Sequence, residues 1–577
     1  MPSPRALVDF VEEEGRPPLR LAFTRCREVL QADRPARVRG VLDAVQQRAA
    51  AGAWCVGYVR YEAASAFDPA FAVHPADGPL AWFGVFEAGE DWPPPPAEGR
   101  QPPQWREDLD RARFDARIAH IHEAIRRGES YQINLTARLR SPAGGSAEAW
   151  FRALHRAQPA SYAAFIDTGE AQVLSVSPEL FFDWRDGRIL LRPMKGTAAR
   201  GATPAEDAAQ AGRLAAAEKE RAENLMIVDL VRNDVSRIAR PFSVRVPRLF
   251  ETQAWPTVWQ MTSDVEARTR EGCTLADVFG ALFPCGSVTG VPKVRATEII
   301  RTLEDGPRGV YCGAVGMVRP GGGATFNVPI RTVEIRGGEA VCGIGSGITI
   351  DAQAEDEWRE WRSKRGFLGL AEERFVLLET LRLDSGAFFQ REGHVQRLLA
   401  SARYFGFAAD EGAVRQALDA LAAAHPRAAW RVRLLLAHDG GLQTQAFALP
   451  ATPAPVVVRL AEAPMERVHP DFLRHKTTRR AHYERFAPAD PAVFDTLLWN
   501  VDGDVTEFTR GNVLARLDGR WITPPLSAGV LPGVARAALL AEGAVQEAPL
   551  RKDDLPHVQA LEFVNSLRGR LPALLKD

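Results

Sequence analysis

Apolar and polar residues recur along this chain with two different periods, and the switches between them mark its elements. From Phe114 the apolar positions return every three or four residues, through Ile118, Ile121 and Ile125, until Gly128 closes the run. That spacing predicts a helix with one apolar face. The period then drops to two. Ile133, Leu135, Ala137 and Leu139 fall on one side, and Gln132, Asn134, Thr136 and Arg138 on the other, as in a strand with one buried face. A second helix is predicted to open at Thr203-Pro-Ala-Glu206, where a capping box coincides with proline at the first helical position. Two proline-rich stretches, Trp92 to Glu98 and Gln101 to Gln104, read as an exposed excursion between elements.

A fresh alternation starts near Phe375 and leads into a second mixed segment, with no low-complexity linker and no internal repeat before it. At 577 residues the chain is long for one core. The boundary is therefore placed close to residue 370, giving domains 1–370 and 371–577.

Two stretches carry acids at helical spacing. Glu220, Glu223, Ile227 and Leu230 share one face; further on, Glu357, Glu360 and Lys364 share another, with Trp358 and Trp361 on a different side of the same helix. Magnesium takes oxygen ligands, often one or two carboxylates plus substrate oxygens, so two inward-facing acidic helices would suit it. Spacing alone favours two solvated acidic faces.

Charge narrows the function classes. With 72 Lys+Arg against 73 Asp+Glu, the balance offers no reason to expect nucleic-acid or membrane partners. Six cysteines without paired short spacings argue against a zinc site or disulfide framework. No apolar run of signal-peptide length opens the chain, and no eighteen apolar residues are consecutive. A cytoplasmic protein is expected, and self-association into a homo-oligomer is left open. Only seven of the basic residues are lysine, and Lys195, Lys293, Lys364 and Lys476 fall within motif-like segments. Arginine replaces lysine wherever only charge is needed, but it cannot supply a nucleophilic amine.

The surrounding sequence gives these residues a context. Ser177-Pro-Glu179, Glu223-Asn-Leu-Met226, Phe283-Pro-Cys-Gly-Ser-Val-Thr-Gly-Val-Pro-Lys293, Arg308-Gly-Val-Tyr-Cys-Gly313 and Gly343-Ile-Gly-Ser-Gly347 follow one another. In order and spacing they resemble the chorismate-utilising enzymes, over nearly all of residues 1 to 365. The fold this implies is α+β, with large β-sheets and flanking helices. By the same resemblance Glu223 and Glu360 are ligands of Mg2+, with Glu220 and Glu357 beside them. Ser287, Tyr311, Arg331, Lys364 and the Gly345 to Gly347 backbone are matched to positions that bind the substrate, chorismate. A metal with Arg and Lys would neutralise its two carboxylates. Glu179 matches the general acid that protonates the departing hydroxyl of carbon 4, for which it must stay protonated at neutral pH.

Two positions discriminate within the family. Family members that add water carry a lysine base where this chain has Gln132; glutamine is no base, and ammonia needs none, so an aminating enzyme is implied. Lys195, in Arg192-Pro-Met-Lys-Gly-Thr197, stands where anthranilate synthases have alanine. There the chain looks like component I of the aminodeoxychorismate synthases, whose lysine attacks carbon 2 as the hydroxyl leaves and is then displaced by ammonia at carbon 4. The plainer alternative is a lysine in a glycine turn after a strand. One departure is Trp259-Gln260-Met261, where many relatives place a histidine. No Gly-Xaa-Cys-Xaa-Gly glutaminase motif surrounds any cysteine, so a separate glutamine amidotransferase subunit is predicted to supply ammonia.

The second segment holds His394-Val-Gln-Arg397, Phe472-Leu-Arg-His-Lys476, Thr506-Glu507-Phe-Thr-Arg-Gly-Asn512 and Thr523-Pro-Pro-Leu-Ser-Ala-Gly-Val-Leu-Pro-Gly533. This order resembles the fold-type IV pyridoxal-phosphate enzymes, which include aminodeoxychorismate lyase, and implies an α/β domain. Lys476 is then the amine that carries pyridoxal 5'-phosphate, Arg397 and the backbone near Gly533 hold its phosphate, and Glu507 pairs with the pyridine nitrogen. Ala535 stands where relatives often have threonine, and the usual opening strands are expected to be missing before Leu377. Joined, the halves imply consecutive steps from chorismate to 4-aminobenzoate. A runner-up pairs an anthranilate synthase with an unrelated aminotransferase.

Overall fold

Strands dominate the computed structural model, which describes residues 3–12, 18–94, 96, 103–158, 162–201, 204–254, 258–372, 375–405, 407–465 and 470–576. The chain divides into two units, Met1–Arg200 with Ala208–Glu373, and Gly201–Asp207 with Arg374–Asp577.

In the first unit, alternation along the strands builds two antiparallel sheets that share a core. Ala6, Val8 and Phe10 of the strand Arg5–Phe10 pack with Tyr162, Ala164 and Ile166 of one sheet and with Val56, Tyr58, Trp82 and Phe86 of the other. The residues between them, such as Leu7 and Phe165, face the opposite way, toward Trp150 and Phe151 of the helix Ala147–Ala157. On the second sheet Phe83 and Val85 turn outward to Leu42, Val231 and Phe279 of three helices. Period two thus yields a sheet-on-sheet sandwich with helices on both outer faces. Each fully buried Phe or Leu contributes about 2 kcal/mol to it.

The predicted helix is Arg111–Arg126, capped by Asp110, whose side chain accepts from the Arg113 N–H at 2.8 Å. Its apolar face, Phe114, Ile118 and Ile121, lies on Ile133 and Leu135 of the predicted strand, which runs Gln132–Pro142. A helix follows at Pro204–Ala216; Thr203 of the expected capping box lies outside the described residues, as do Pro95 and residues 97–102 of the proline-rich stretches. Trp92, expected to be exposed, is not. Its indole N–H reaches the Val8 and Leu21 carbonyls and its ring packs 5.9 Å from Phe151, so large apolar area outweighs the local loop signal.

The second unit has a four-stranded antiparallel sheet and an eight-stranded mixed one. Its first strand, Leu377–Asp384, sends Leu377, Leu381 and Leu383 into a core with Val395 and Leu398 of the helix Arg391–Phe405. No helix among the described residues is long and apolar enough to cross a membrane.

Two candidate active sites

The first site is laid out on a stripe of bare backbone. Glycines 343, 345 and 347 alternate along the strand Glu339–Ile348, so all three present the same face. A Cβ on Gly343 would strike the Tyr311 ring at 2.1 Å, and one on Gly347 would lie 2.4 Å from Lys195 Nζ and 2.7 Å from Gln132 Nε2. At Gly343 and Gly347 side chains from elsewhere occupy that face, and at Gly345 the Leu135 carbonyl does. Gln132 is fully buried, and neither of its amide atoms has a hydrogen-bond partner. Other buried amides among the described residues lack a partner on one atom, but Gln132 lacks one on both, so its whole amide is open to a ligand.

Glu179 follows the strand Ala171–Ser177, its N–H bonded to Ser177 Oγ. Ser287 Oγ donates to its carboxylate at 2.6 Å. Burial pushes the Glu179 acid up to about 7, against the pull of the Ser287 hydrogen bond and of Lys195 and Lys364. Burial likewise raises the Tyr311 phenol far above its ordinary value, and lowers Arg331 to about 10. Arg331 holds a left-handed φ of 51°, and no carboxylate among the described residues pairs with it. A partly buried guanidinium with no acid paired to it could receive an anion.

The acidic helices are Glu218–Ser236 and Ala354–Lys364. Burial raises the Glu220 carboxyl, and so do Glu223 and Glu360 nearby; Glu357 is raised by burial and then by Glu360. Glu360 is instead lowered: burial opposes, but Lys364, at 2.6 Å, outweighs it. Lys364 Nζ also donates to the Gly345 carbonyl at 3.1 Å, and Lys195 Nζ lies 3.9 Å from Glu223. Among the described residues no three acids, His or Cys converge tightly enough to form a metal cluster. The donor set nonetheless fits a hard divalent cation: oxygen-only, half-buried, and mutually repelling. Trp361 departs from its expected separate side, since its indole donates to Ser346 Oγ at 2.8 Å and that hydroxyl donates to Glu357.

The second site is a cavity of about 340 Å3 between the two sheets of the second unit, lined by Arg397, Lys476, Tyr483, Glu507, Asn512 and Gly533. Burial lowers the Lys476 amine to about 7, and Arg480 and Arg397 push the same way. Glu507, raised to about 7 by burial, accepts from Tyr483 Oη at 2.6 Å, Asn512 Nδ2 and the Leu531 N–H. Gly533 caps the helix Val534–Ala541; a Cβ there would fall 1.9 Å from Asn512 Oδ1. A helix N-terminus beside Arg397 makes a phosphate seat. An amine near neutrality, an anion seat and a buried acid in one cavity fit pyridoxal phosphate.

One residue that matters here carries no local sequence signal, and two motif residues prove to be ties. Glu379 accepts from both Arg397 and His394, which hold its carboxyl down at about 2 despite burial, and so fixes the arginine. Motif residue Arg308 turns out to be an internal tie: buried, it donates to Glu304, to the Val288 carbonyl and to the Asn134 carbonyl, joining its own motif to that of Val288 and to the strand Gln132–Pro142. Lys293 is a tie as well, paired with Asp234 at 2.5 Å and bonded to the Leu282 carbonyl.

Residues 10–368 match the family model of chorismate binding enzymes, and residues 376–574 match that of class IV amino-transferases. Aminodeoxychorismate synthase component 1 of Klebsiella aerogenes is 43% identical over 256 residues, 44% of this chain and 57% of that protein. Anthranilate synthase component 1 of Aquifex aeolicus is 37% identical over 260 residues, 45% of this chain and 53% of that protein. The chain thus spans about half the length of these curated relatives. Anthranilate synthase component I from Streptococcus pneumoniae has the same fold, with a TM-score of 0.53 at 24% identity over 64% of this chain and 93% of that structure.

Proposed function

Since the chain belongs to the chorismate binding enzymes through residues 10–368, we propose that its first unit aminates chorismate to 4-amino-4-deoxychorismate and its second eliminates pyruvate from that product, leaving 4-aminobenzoate. The observation that carries this reading is the meeting of Lys195 Nζ and the orphaned Gln132 amide over the missing Cβ of Gly347.

Glu179, an acid near pH 7, donates its proton to the C4 hydroxyl, which leaves as water. As that C–O bond breaks, Lys195 Nζ forms a bond to carbon 2 and the ring double bonds shift. Ammonia then attacks carbon 4, the double bonds shift back, and the C2–N bond to Lys195 breaks. Gln132, unable to act as a base, has an amide oxygen free to accept from the incoming nitrogen. Arg331 and Lys364 bind the substrate carboxylates. Glu223 and Glu360, with Glu220 and Glu357 beside them, would hold Mg2+, which supplies further positive charge for those carboxylates. Ammonia comes from a separate glutaminase subunit: burial raises the thiols of Cys55, Cys285, Cys312 and Cys342 to about 12, the opposite of an activated nucleophile.

In the second unit Lys476 would carry pyridoxal phosphate, with Arg397 and the Val534 helix end on its phosphate and Glu507 at its ring nitrogen. When bound there, the cofactor supplies an electron sink. Lys476 Nζ, once free, takes the proton from carbon 4. Its low basicity suits it to both release and accept that proton near neutrality. Breaking the bond from carbon 3 to the enolpyruvyl oxygen then releases pyruvate and makes the ring aromatic.

Incubating the full chain with chorismate, ammonium, Mg2+ and pyridoxal phosphate tests the reading. 4-Aminobenzoate and pyruvate are expected, and neither forms with Lys195→Ala. Anthranilate as the product would overturn it.

A further inference from the structure

We infer that Gln260 is a positioning residue that aims Lys195, acting through the backbone beneath that lysine; the inference rests on the Lys195 reading given above. The strands Met194–Ala199 and Val258–Arg268 are in register at Met194 with Thr262 and again at Thr197 with Gln260. Three steps along one strand therefore span two along the other. The surplus residue places Lys195 and Gly196 in a β-bulge, where backbone groups lose their ladder partners and a side chain can be re-aimed. Gly196 takes φ of 88° in it, a conformation open to glycine.

The Gln260 amide spans this bulge. Its Nε2 donates to the Gly196 carbonyl at 2.8 Å, and its Oε1 accepts from Thr197 Oγ1 at 3.2 Å. With only 9% of its surface exposed, Gln260 is shielded from water that would otherwise compete for these bonds. On the opposite side the bulge abuts Glu220, whose Oε2 would lie 2.9 Å from a Cβ on Gly196. Lys195 is thus presented from a segment clamped on two sides. An amide suits the task because donor and acceptor sit on neighbouring atoms, whereas a neutral imidazole carries them on opposite sides of its ring. That gives a reason for glutamine at the Trp259-Gln260-Met261 position.

The test compares Gln260→Ala, the similarly sized Gln260→Met, Thr197→Val and Lys195→Ala in the full-length chain, with Mg2+ and ammonium. Two quantities are read: kcat and KM for chorismate, and by intact mass the rate at which a chain–substrate adduct forms when chorismate is given without ammonium. Displacing an attacking group by an ångström costs about 10²-fold, so Gln260→Ala and Gln260→Met are expected to lose about that in kcat and in adduct rate. KM should stay within about threefold, as expected when ground-state binding is untouched. Thr197→Val removes only the longer contact and should lose less than about tenfold in kcat. Adduct formation at the unaltered rate in a folded Gln260→Met chain, or a loss confined to KM, overturns the inference. If Gln260→Ala does not fold, Gln260→Met and Thr197→Val decide. An adduct that survives Lys195→Ala instead refutes the Lys195 reading itself, so the two failures are distinguishable.

Discussion

In the reading proposed above each unit centres its chemistry on one lysine, and the two lysines have opposite surroundings. Lys195 stands among carboxylates, 3.9 Å from Glu223 with Glu220 and Glu360 close by. Lys476 stands among guanidinium groups, those of Arg480 and Arg397. The contrast suits what each site is proposed to hold. A cation shared among several acids can offset a dianionic substrate, whereas a phosphate-bearing cofactor calls for permanent positive charge. The cations gathered for that phosphate also make an ammonium at Lys476 unfavourable. In the second site one arrangement both seats the anion and frees the amine.

Exchanging either lysine for arginine breaks the comparison most sharply. Lys195→Arg is expected to lower amination about 10³-fold and Lys476→Arg to lower pyruvate elimination by about as much, since a guanidinium keeps the charge but gives no usable amine. Each variant should leave the other step within about twofold. Chromatography of the products checks this: the Lys476→Arg chain accumulates 4-amino-4-deoxychorismate, and the Lys195→Arg chain still converts that compound when supplied with it. Amination retained above about a tenth in Lys195→Arg would reduce Lys195 to a source of charge.

How far these roles could be read from sequence depended on sequence distance. The helix at Phe114, the strand at Gln132 and the acidic faces around Glu223 and Glu360 were legible because each is set by spacing within one element. The α+β architecture came from the family resemblance that the ordered motifs carry. Gln260 was visible only as a departure, since its partners Gly196 and Thr197 lie more than sixty residues away. Glu379 had no mark at all until the strand Leu377–Asp384 met the helix bearing His394 and Arg397. Arg308 and Lys293 sit in motifs yet act as ties, because what distinguishes a buried tie from a ligand contact is the partner, and the partner is remote.

A pH profile sharpens the contrast at smaller cost. Glu179 is raised to about 7 and is proposed to act as an acid, so its working form is present below that pH and is lost as pH rises through it. Lys476 is lowered to about 7 and is proposed to work as a free amine, so its working form appears over the same interval. At a fixed concentration of free ammonia, amination should therefore decline above pH 7 while pyruvate elimination rises. Glu179→Gln should cost about 10²-fold in amination and abolish its declining limb without touching elimination. Limbs running in the same direction would show that one of the two groups is not the one titrating.

The smallest expected effect belongs to Lys364→Arg. Lys364 donates to the Gly345 carbonyl and to Glu360, and both are tasks of a cation with several N–H groups, which a guanidinium also has. The side chain is 35% exposed, so the bulkier head has room to shift. KM for chorismate should change by about threefold and kcat by less, because the proposed role is uniform binding of a carboxylate. Lys364→Ala should cost more than Lys364→Arg, since it leaves Glu360 without the neighbour that outweighs its burial. Steady-state kinetics on the pair separates charge from amine. A Lys364→Arg loss as large as that of Lys195→Arg would mean the first unit uses two amines in its chemistry, and the contrast of one lysine per site would not stand.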